Sequence, residues 1–322
     1  MTPIERLVRE RIAHHGPLSF REVMQLALYH PEHGYYSNLR GFGADGDFIT
    51  SPELDPVFGE LVARQAADVW QYLGCPRPFR ILEYGAGSGA LASTLVRLPY
   101  VAYAIDETSR SLRALQRARL GDLPPLDGPP HLIIANEVLD ALPVHRVTVR
   151  DGVLRELRVG ADLQSVEADA PPAIRLYFER IGLLPPEGAI TEVNLELEPW
   201  VEHLAARLHH GLALILDYGY TAEALYARPQ GTLLTYYRHT LGSDPLVRLG
   251  QQDISVNVDF TTLATVAHRS GLQVIGITSQ RAFLRKLGIG ARAPALVDPS
   301  GLGRIGVLFL GRGLADYAPI GL

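Results

Sequence analysis

The sequence predicts an α/β fold built on a mostly parallel sheet. Three observations carry that prediction: strand-like and helix-like segments alternate from residue 80 onward, the strands are continuous apolar runs, and four of them end in glycine, acid or amide residues. A strand buried on both faces has no polar side to show, whereas a half-wet strand would alternate. The chain has 322 residues, 47% of them hydrophobic and 20% charged, which excludes a disordered or collagenous protein. At that length a chain buries roughly three quarters of its unfolded surface and needs no disulfide or metal staple.

The elements follow in order. Ile4, Leu7, Val8 and Ile12 share one helical face, and Gly16-Pro17 closes that helix. Ser19 caps a second helix, with Glu22 three residues on as a capping box, running to about Tyr29 before Pro31. Residues 34–54 hold several glycines and no helical period, so they form a long loop of the kind that is often functional. A third helix runs from about Pro56 to Tyr72. Arg80 to Tyr84 is a strand that enters Gly85-Ala86-Gly87-Ser88-Gly89 and then a helix, Ala90 to Arg97. Val101 to Ile105 is a strand ending in Asp106-Glu107, followed by a helix from Ser109 to Arg119. His131 to Ala135 is a buried strand ending in Asn136-Glu137. Val147 to Val159 alternates around Asp151-Gly152 and is a β-hairpin. Leu195 to His210 is a helix, Leu212 to Leu216 a strand ending in Asp217, Phe260 to Ser270 a helix, and Leu272–Thr278 and Ile305–Leu310 the last strands.

Several function classes are excluded. The net charge of −5 gives no basic footprint for nucleic acid. Cys75 is the single cysteine, so there is neither an internal disulfide nor a multi-cysteine zinc site. No apolar run approaches the roughly 18 residues of a membrane span, and the opening MTPIERLVRERIAHHG lacks the apolar core of a signal peptide. A cytoplasmic, reducing setting is expected. His14-His15 and His209-His210 are adjacent pairs that point apart on helices, so no metal site is expected.

In an open α/β sheet, ligands sit beyond the carboxyl ends of the strands. The glycine loop lets backbone approach a ligand closely, and the N–H groups of the next helix can face a carboxylate. Glu107, 22 residues after Gly85, can accept from two ribose hydroxyls. Two cofactor classes compete for this arrangement. A dinucleotide fingerprint needs G-x-G-x-x-G, whereas Gly85-x-Gly87-x-Gly89 has its third glycine one position early, and Glu83 would sit poorly beside a pyrophosphate. E-x-G-x-G-x-G resembles motif I of class I S-adenosylmethionine-dependent methyltransferases, where a carboxylate lies near a sulfonium and an ammonium.

Longer strings narrow the resemblance. Gly46-Asp47-Phe48-Ile49-Thr50-Ser51-Pro52-Glu53, followed by Phe58-Gly59-Glu60, and Ala135-Asn136-Glu137-Val138-Leu139-Asp140-Ala141-Leu142-Pro143-Val144 are similar to the signatures of the MidA-like family of protein arginine methyltransferases associated with assembly of mitochondrial complex I. Leu216–Tyr220, Tyr237-Arg238-His239 and Asp253–Phe260 resemble later blocks in the same order, so the likeness runs from about residue 5 to 315. Ala86 and Ser88 stand where that family usually has proline and arginine, and Asn257-Val258-Asp259 stands where a histidine-containing string is common.

The resemblance implies a Rossmann-like class I methyltransferase sheet, residues 80–322, with insertions at about 145–195 that include the hairpin. A helical N-terminal extension, residues 1–79, would carry a capping loop. It implies S-adenosyl-L-methionine as cofactor, held by Glu83, Gly85, Ala86, Gly87, Gly89, Asp106, Glu107 and Asn136. A guanidinium is a poor nucleophile whose fork is best gripped by carboxylates, one of which can take the released proton. Asp47, Glu53, Glu137 and Asp140 are the acids expected to do so; His145 and His239 are weaker candidates for the base. The partner implied is a protein substrate, such as a respiratory-complex subunit, and a homodimer falls within the expectation; nucleic acid and a membrane span do not. A small-molecule methyltransferase and a non-catalytic assembly factor that keeps the cofactor pocket are the alternatives.

Overall fold

The computed structural model describes residues 1–38 and 49–322. Contacts divide the chain into two compact units: residues 1–40, 139–199 and 219–263 form the first, and 41–138, 200–218 and 264–322 the second.

The second unit holds the sheet that positions the candidate site. Its strands are β1 (Phe79–Tyr84), β2 (Val101–Asp106), β3 (Leu132–Asn136), β4 (Gly211–Asp217), β5 (Gln273–Ser279) and β6 (Gly306–Arg312), in the order β5-β6-β4-β3-β1-β2. Strands β1 to β4 are parallel, and β6 runs antiparallel to both its neighbours. The mostly parallel α/β sheet expected from the apolar runs is therefore present. The chain leaves β1 toward β2 on one side and returns to β3 on the other, so β1 is the point where strand order reverses. Ligand crevices in such sheets open there. Register sets the level of each strand end: Tyr84 lies opposite both Asp106 and Ala135, so Gly85, Glu107 and Asn136 all come one residue beyond the same line.

One sheet face is apolar over most of its area, with Glu83 and Asn136 as polar exceptions at its carboxyl edge. Phe79, Ile81, Tyr103, Leu132, Ile134, Leu212, Leu214, Val307 and Phe309 are all buried there, with Phe58, Leu61, Val62, Ala66 and Val69 of the helix Val57–Tyr72 in the same core. Their three- and four-residue spacing is what brings one helical stripe onto the sheet. Each Val, Leu, Ile or Phe among them contributes about 1.5–3 kcal/mol when fully buried.

The first unit contains the two N-terminal helices, Pro3–His15 and Phe20–Tyr29. Ser19 and Glu22 form both halves of the predicted capping box on the second. The predicted hairpin is present as His145–Arg150 and Val153–Val159, turning at Asp151-Gly152 with φ of 52° and 73°, the left-handed pair a tight hairpin turn requires. It belongs to a larger antiparallel sheet that includes Ile190–Val193, Ser165–Asp169 and, from the N-terminus, Leu18–Ser19 against Val159–Arg158. A two-residue strand has no periodicity to read, and Ser165–Asp169 is mostly exposed and polar, so neither shows in the apolar pattern.

Candidate functional site

The site grows from the turn after β1. The Gly85 N–H donates to the Asp106 carbonyl at 3.0 Å, stitching the turn to the end of β2. Gly85 has φ 59°, and a Cβ there would lie 2.9 Å from the Val138 Cγ2, so only glycine fits in both conformation and space. Gly89 has φ 83° and donates its N–H to the Ala86 carbonyl at 2.8 Å, which closes the loop before the helix Ala90–Leu95.

Asp106 and Glu107 follow on β2. The Asp106 carboxylate is 3.6 Å from the Arg207 guanidinium. Glu107 has both oxygens oriented: the Ser109 N–H donates to Oε1 at 2.9 Å and the Gln116 amide to Oε2 at 3.3 Å. Burial pushes the Glu107 carboxyl up, and those hydrogen bonds pull it back. Beside these acids is a cleft of about 600 Å³, with Leu82, Ala104, Leu126 and Arg207 among its walls.

Glu83, near the end of β1, lies on the face that also carries Tyr103. It is buried, and the Tyr103 hydroxyl donates to its Oε2 at 2.7 Å. Burial and then the nearby Glu107 push its carboxyl up to about 7, against the Tyr103 bond.

The end of β3 carries the most constrained acid. Glu137 has φ 53°, a left-handed conformation unusual for a residue with a side chain. Its own N–H donates to the Leu216 carbonyl at 2.8 Å, and the next N–H, of Val138, donates to Asp217 Oδ2 at 3.1 Å. Both bonds tie the turn to β4. The Glu137 Oε1 accepts from the Ser51 N–H at 3.2 Å and from the Asn136 Nδ2 at 3.0 Å. Burial, then repulsion from Asp217, push this carboxyl up to about 7, and the two hydrogen bonds oppose them. Because Asn136 spends its amide donor on Glu137, its Oδ1 faces away; that buried oxygen has no hydrogen-bond partner among the described residues.

Glu53 joins this acid to the glycine loop. It lies two residues after Ser51 in the helical turn Ser51–Leu54, and its carboxylate accepts from the Ser88 hydroxyl and pairs with Arg119 at 3.3 Å. Arg119 also donates to the Ser88 hydroxyl. One short segment therefore touches Glu137 through Ser51 and the glycine loop through Glu53.

Three other expected site residues, Asp140, His145 and His239, belong to the first unit. Asp140 is in the first unit, in the turn Leu139–Ala141, where its carbonyl accepts from the Val256 N–H at 2.9 Å. There, Asp253 and then Asp140 add to the burial that raises the Tyr36 hydroxyl. His145 is paired with buried Glu156 at 2.6 Å, and His239 is exposed. Asp47 lies outside the described residues. Among the described residues no group of three or more His, Cys, Asp or Glu could hold a metal, and no helix is long and apolar enough to cross a membrane.

Motif and spacing do not point to Gln116, Arg119 or Tyr103. Gln116 still leaves a signal, since it falls four residues after Leu112 on the buried stripe of the helix Arg110–Leu120, where an amide needs a reason. Ser51 falls in the Gly46–Glu53 string, but it meets Glu137 through its backbone N–H, which no residue type reveals.

Known proteins resemble the chain along most of its length. A family of S-adenosyl-L-methionine-dependent methyltransferases matches residues 61–278. The protein arginine methyltransferase NDUFAF7 homolog of Drosophila melanogaster, named as mitochondrial, is 30% identical over 91% of this chain and 77% of its own. Its Mus musculus counterpart is 28% identical over 94% and 78%. A Burkholderia thailandensis protein whose crystal structure contains S-adenosyl-homocysteine superposes with a TM-score of 0.86 at 32% identity, covering 99% of this chain and 94% of that one.

Proposed function

The chain belongs to the S-adenosyl-L-methionine-dependent methyltransferase family, and on that premise we propose that it methylates an arginine guanidinium in a partner protein. Its cofactor is S-adenosylmethionine. The residues present fit that cofactor: a side-chain-free turn at Gly85, an oriented carboxylate at Glu107 with a cleft beside it, and a buried, unpartnered acceptor at Asn136 Oδ1. In this reading the turn Gly85–Gly89 receives the amino-acid end, Glu107 the ribose hydroxyls, and Asp106, Ala86 and Asn136 complete the cradle.

Bound S-adenosylmethionine supplies an electrophilic methyl on a sulfonium. The protein's part is to hold a nitrogen in line with it and to deal with charge. Glu137 is the proposed grip and base. Its carboxylate is held from one side by the Ser51 N–H and the Asn136 amide, which leaves its other oxygen for an N–H of the target. A carboxyl raised to about 7 is matched to taking a proton near neutral pH. Glu53, already engaged by Arg119 and Ser88, is proposed to fix the Ser51–Leu54 turn beneath Glu137; Asp140 and Asp47 are proposed to meet the substrate from their own segments.

The observation that carries this reading is the constrained Glu137 at the end of β3, the strand beside the switch-point strand β1. The arginine part is supported by the names of the NDUFAF7 relatives. Those relatives are named as mitochondrial; for this chain a reducing, cytoplasmic setting is proposed on its single, exposed cysteine.

Mass spectrometry of lysate proteins incubated with isotopically labelled S-adenosylmethionine tests the reading. Label on arginine is the expected result; label only on small molecules, or none with cofactor binding intact, overturns it. Gly87→Val should abolish calorimetric binding of S-adenosylhomocysteine, and retained binding would remove the glycine turn from the cofactor site.

A further inference from the structure

The two proposed handles for the cofactor, the glycine turn and Glu107, are joined by one side chain. Gln116 is 6% exposed on the helix Arg110–Leu120. Its Nε2 donates to the Gly87 carbonyl at 2.9 Å and to the Glu107 Oε2 at 3.3 Å. A carboxamide nitrogen has two hydrogens, and these two acceptors account for both. We propose that Gln116 is a positioning residue that locks the glycine turn and the Glu107 carboxylate into one cradle of fixed span.

The surroundings support that role. The helix bearing Gln116 is fixed at its start by Ser109, whose hydroxyl accepts from the Leu112 N–H at 3.2 Å and whose own N–H donates to Glu107 Oε1 at 2.9 Å. Glu107 is thus held at both oxygens from one helix: Ser109 at the first turn, Gln116 two turns on. A Cβ on Gly89 would come within 3.6 Å of the Gln116 Cγ, so the amide stem packs against the loop it holds. A ligand that spans the loop and the acid gains from having their separation preset, because it need not order them on binding. A ligand that uses only one of them gains little.

This inference rests on the cofactor reading above, and the test separates the two. Gln116→Met keeps the length and volume of the side chain and removes both donors. Calorimetry would compare S-adenosylhomocysteine, which spans both handles, with 5′-methylthioadenosine, which has the ribose and lacks the amino-acid part. The expected result is about tenfold weaker binding of S-adenosylhomocysteine and less than threefold for methylthioadenosine. Unchanged binding of S-adenosylhomocysteine, or equal losses for the two ligands, would overturn the proposal. Should Gln116→Met fail to fold, Gln116→Leu also removes both donors without adding a charge beside Glu107 and should give the same split. Glu107→Ala reports on the underlying reading: if it binds S-adenosylhomocysteine as the wild type does, the ribose assignment fails, whereas weak binding there with no effect at Gln116 removes Gln116 alone.

Discussion

The backbone N–H of Ser51 donates to the Glu137 carboxylate at 3.2 Å, joining residues 86 positions apart in sequence. It fixes a carboxylate whose own backbone is left-handed, at φ 53°. The acid is thus held by its main chain from one side and by a neighbouring loop from the other, an arrangement suited to presenting one oxygen outward.

If Glu137 is the proton acceptor, its ionised form is the active one. With its carboxyl near 7, turnover should fall about tenfold per unit as pH drops below that value, and level off above it. Glu137→Gln should lose 10²–10⁴-fold in kcat, the usual worth of a positioned base, while calorimetry shows S-adenosylhomocysteine binding within about threefold of wild type. A variant with wild-type turnover, or the same pH profile, would remove Glu137 from the chemistry.

Glu83 carries a stability signature. Burial raises its folded carboxyl from 4.5 to about 7, so folding favours the protonated form. That contribution is fully present below the unfolded value near 4.5 and is lost as pH rises through about 7. Glu83→Gln should therefore gain stability relative to wild type as pH rises from 5 to 8, by on the order of 3 kcal/mol at the limit. Tyr103→Phe should do the opposite, destabilising more at pH 8 than at pH 5, because it removes a donor from the charged carboxylate. Urea unfolding at the two pH values measures both; identical differences at pH 5 and 8 would contradict the buried, Tyr103-bonded placement.

Gly85→Ala combines a left-handed φ of 59° with a Cβ 2.9 Å from Val138. The conformation alone costs about 1–2 kcal/mol. A melting temperature lowered by several degrees, with cofactor affinity reduced at least tenfold, is expected. Thermal unfolding and calorimetry read the two effects separately, and an unaltered affinity would mean the turn does not contact the cofactor.

Glu53 and Arg119 should behave as supports. Glu53→Gln keeps an acceptor for Ser88 and loses the charge that pairs with Arg119. Its loss of kcat should be about tenfold or less, far below that of Glu137→Gln. Steady-state assays of the two variants decide this; a loss at Glu53 equal to that at Glu137 would make it a direct participant.

Much of the architecture is legible in the order of amino acids alone. The apolar runs mark β1, β3 and β4 most clearly, because strands buried on both faces must be apolar. The helices at Pro3–His15 and Phe20–Tyr29 are marked by their stripes and by the Ser19–Glu22 box. The glycine turn, Glu107 and Glu137 stand out because glycines and acids follow directly on apolar strands. Tertiary structure alone decides how those residues meet. Glu83 turns to Tyr103, Glu53 to Arg119 and Ser88, and Gln116 to the glycine turn through contacts of 20, 66, 35 and 29 residues' separation. The local pattern reports which face of an element is apolar, since burial repeats with the period of the helix or strand. It does not report which distant donor satisfies a buried carboxylate, because that partner is chosen by strand order and register, which emerge only once the whole sheet is assembled.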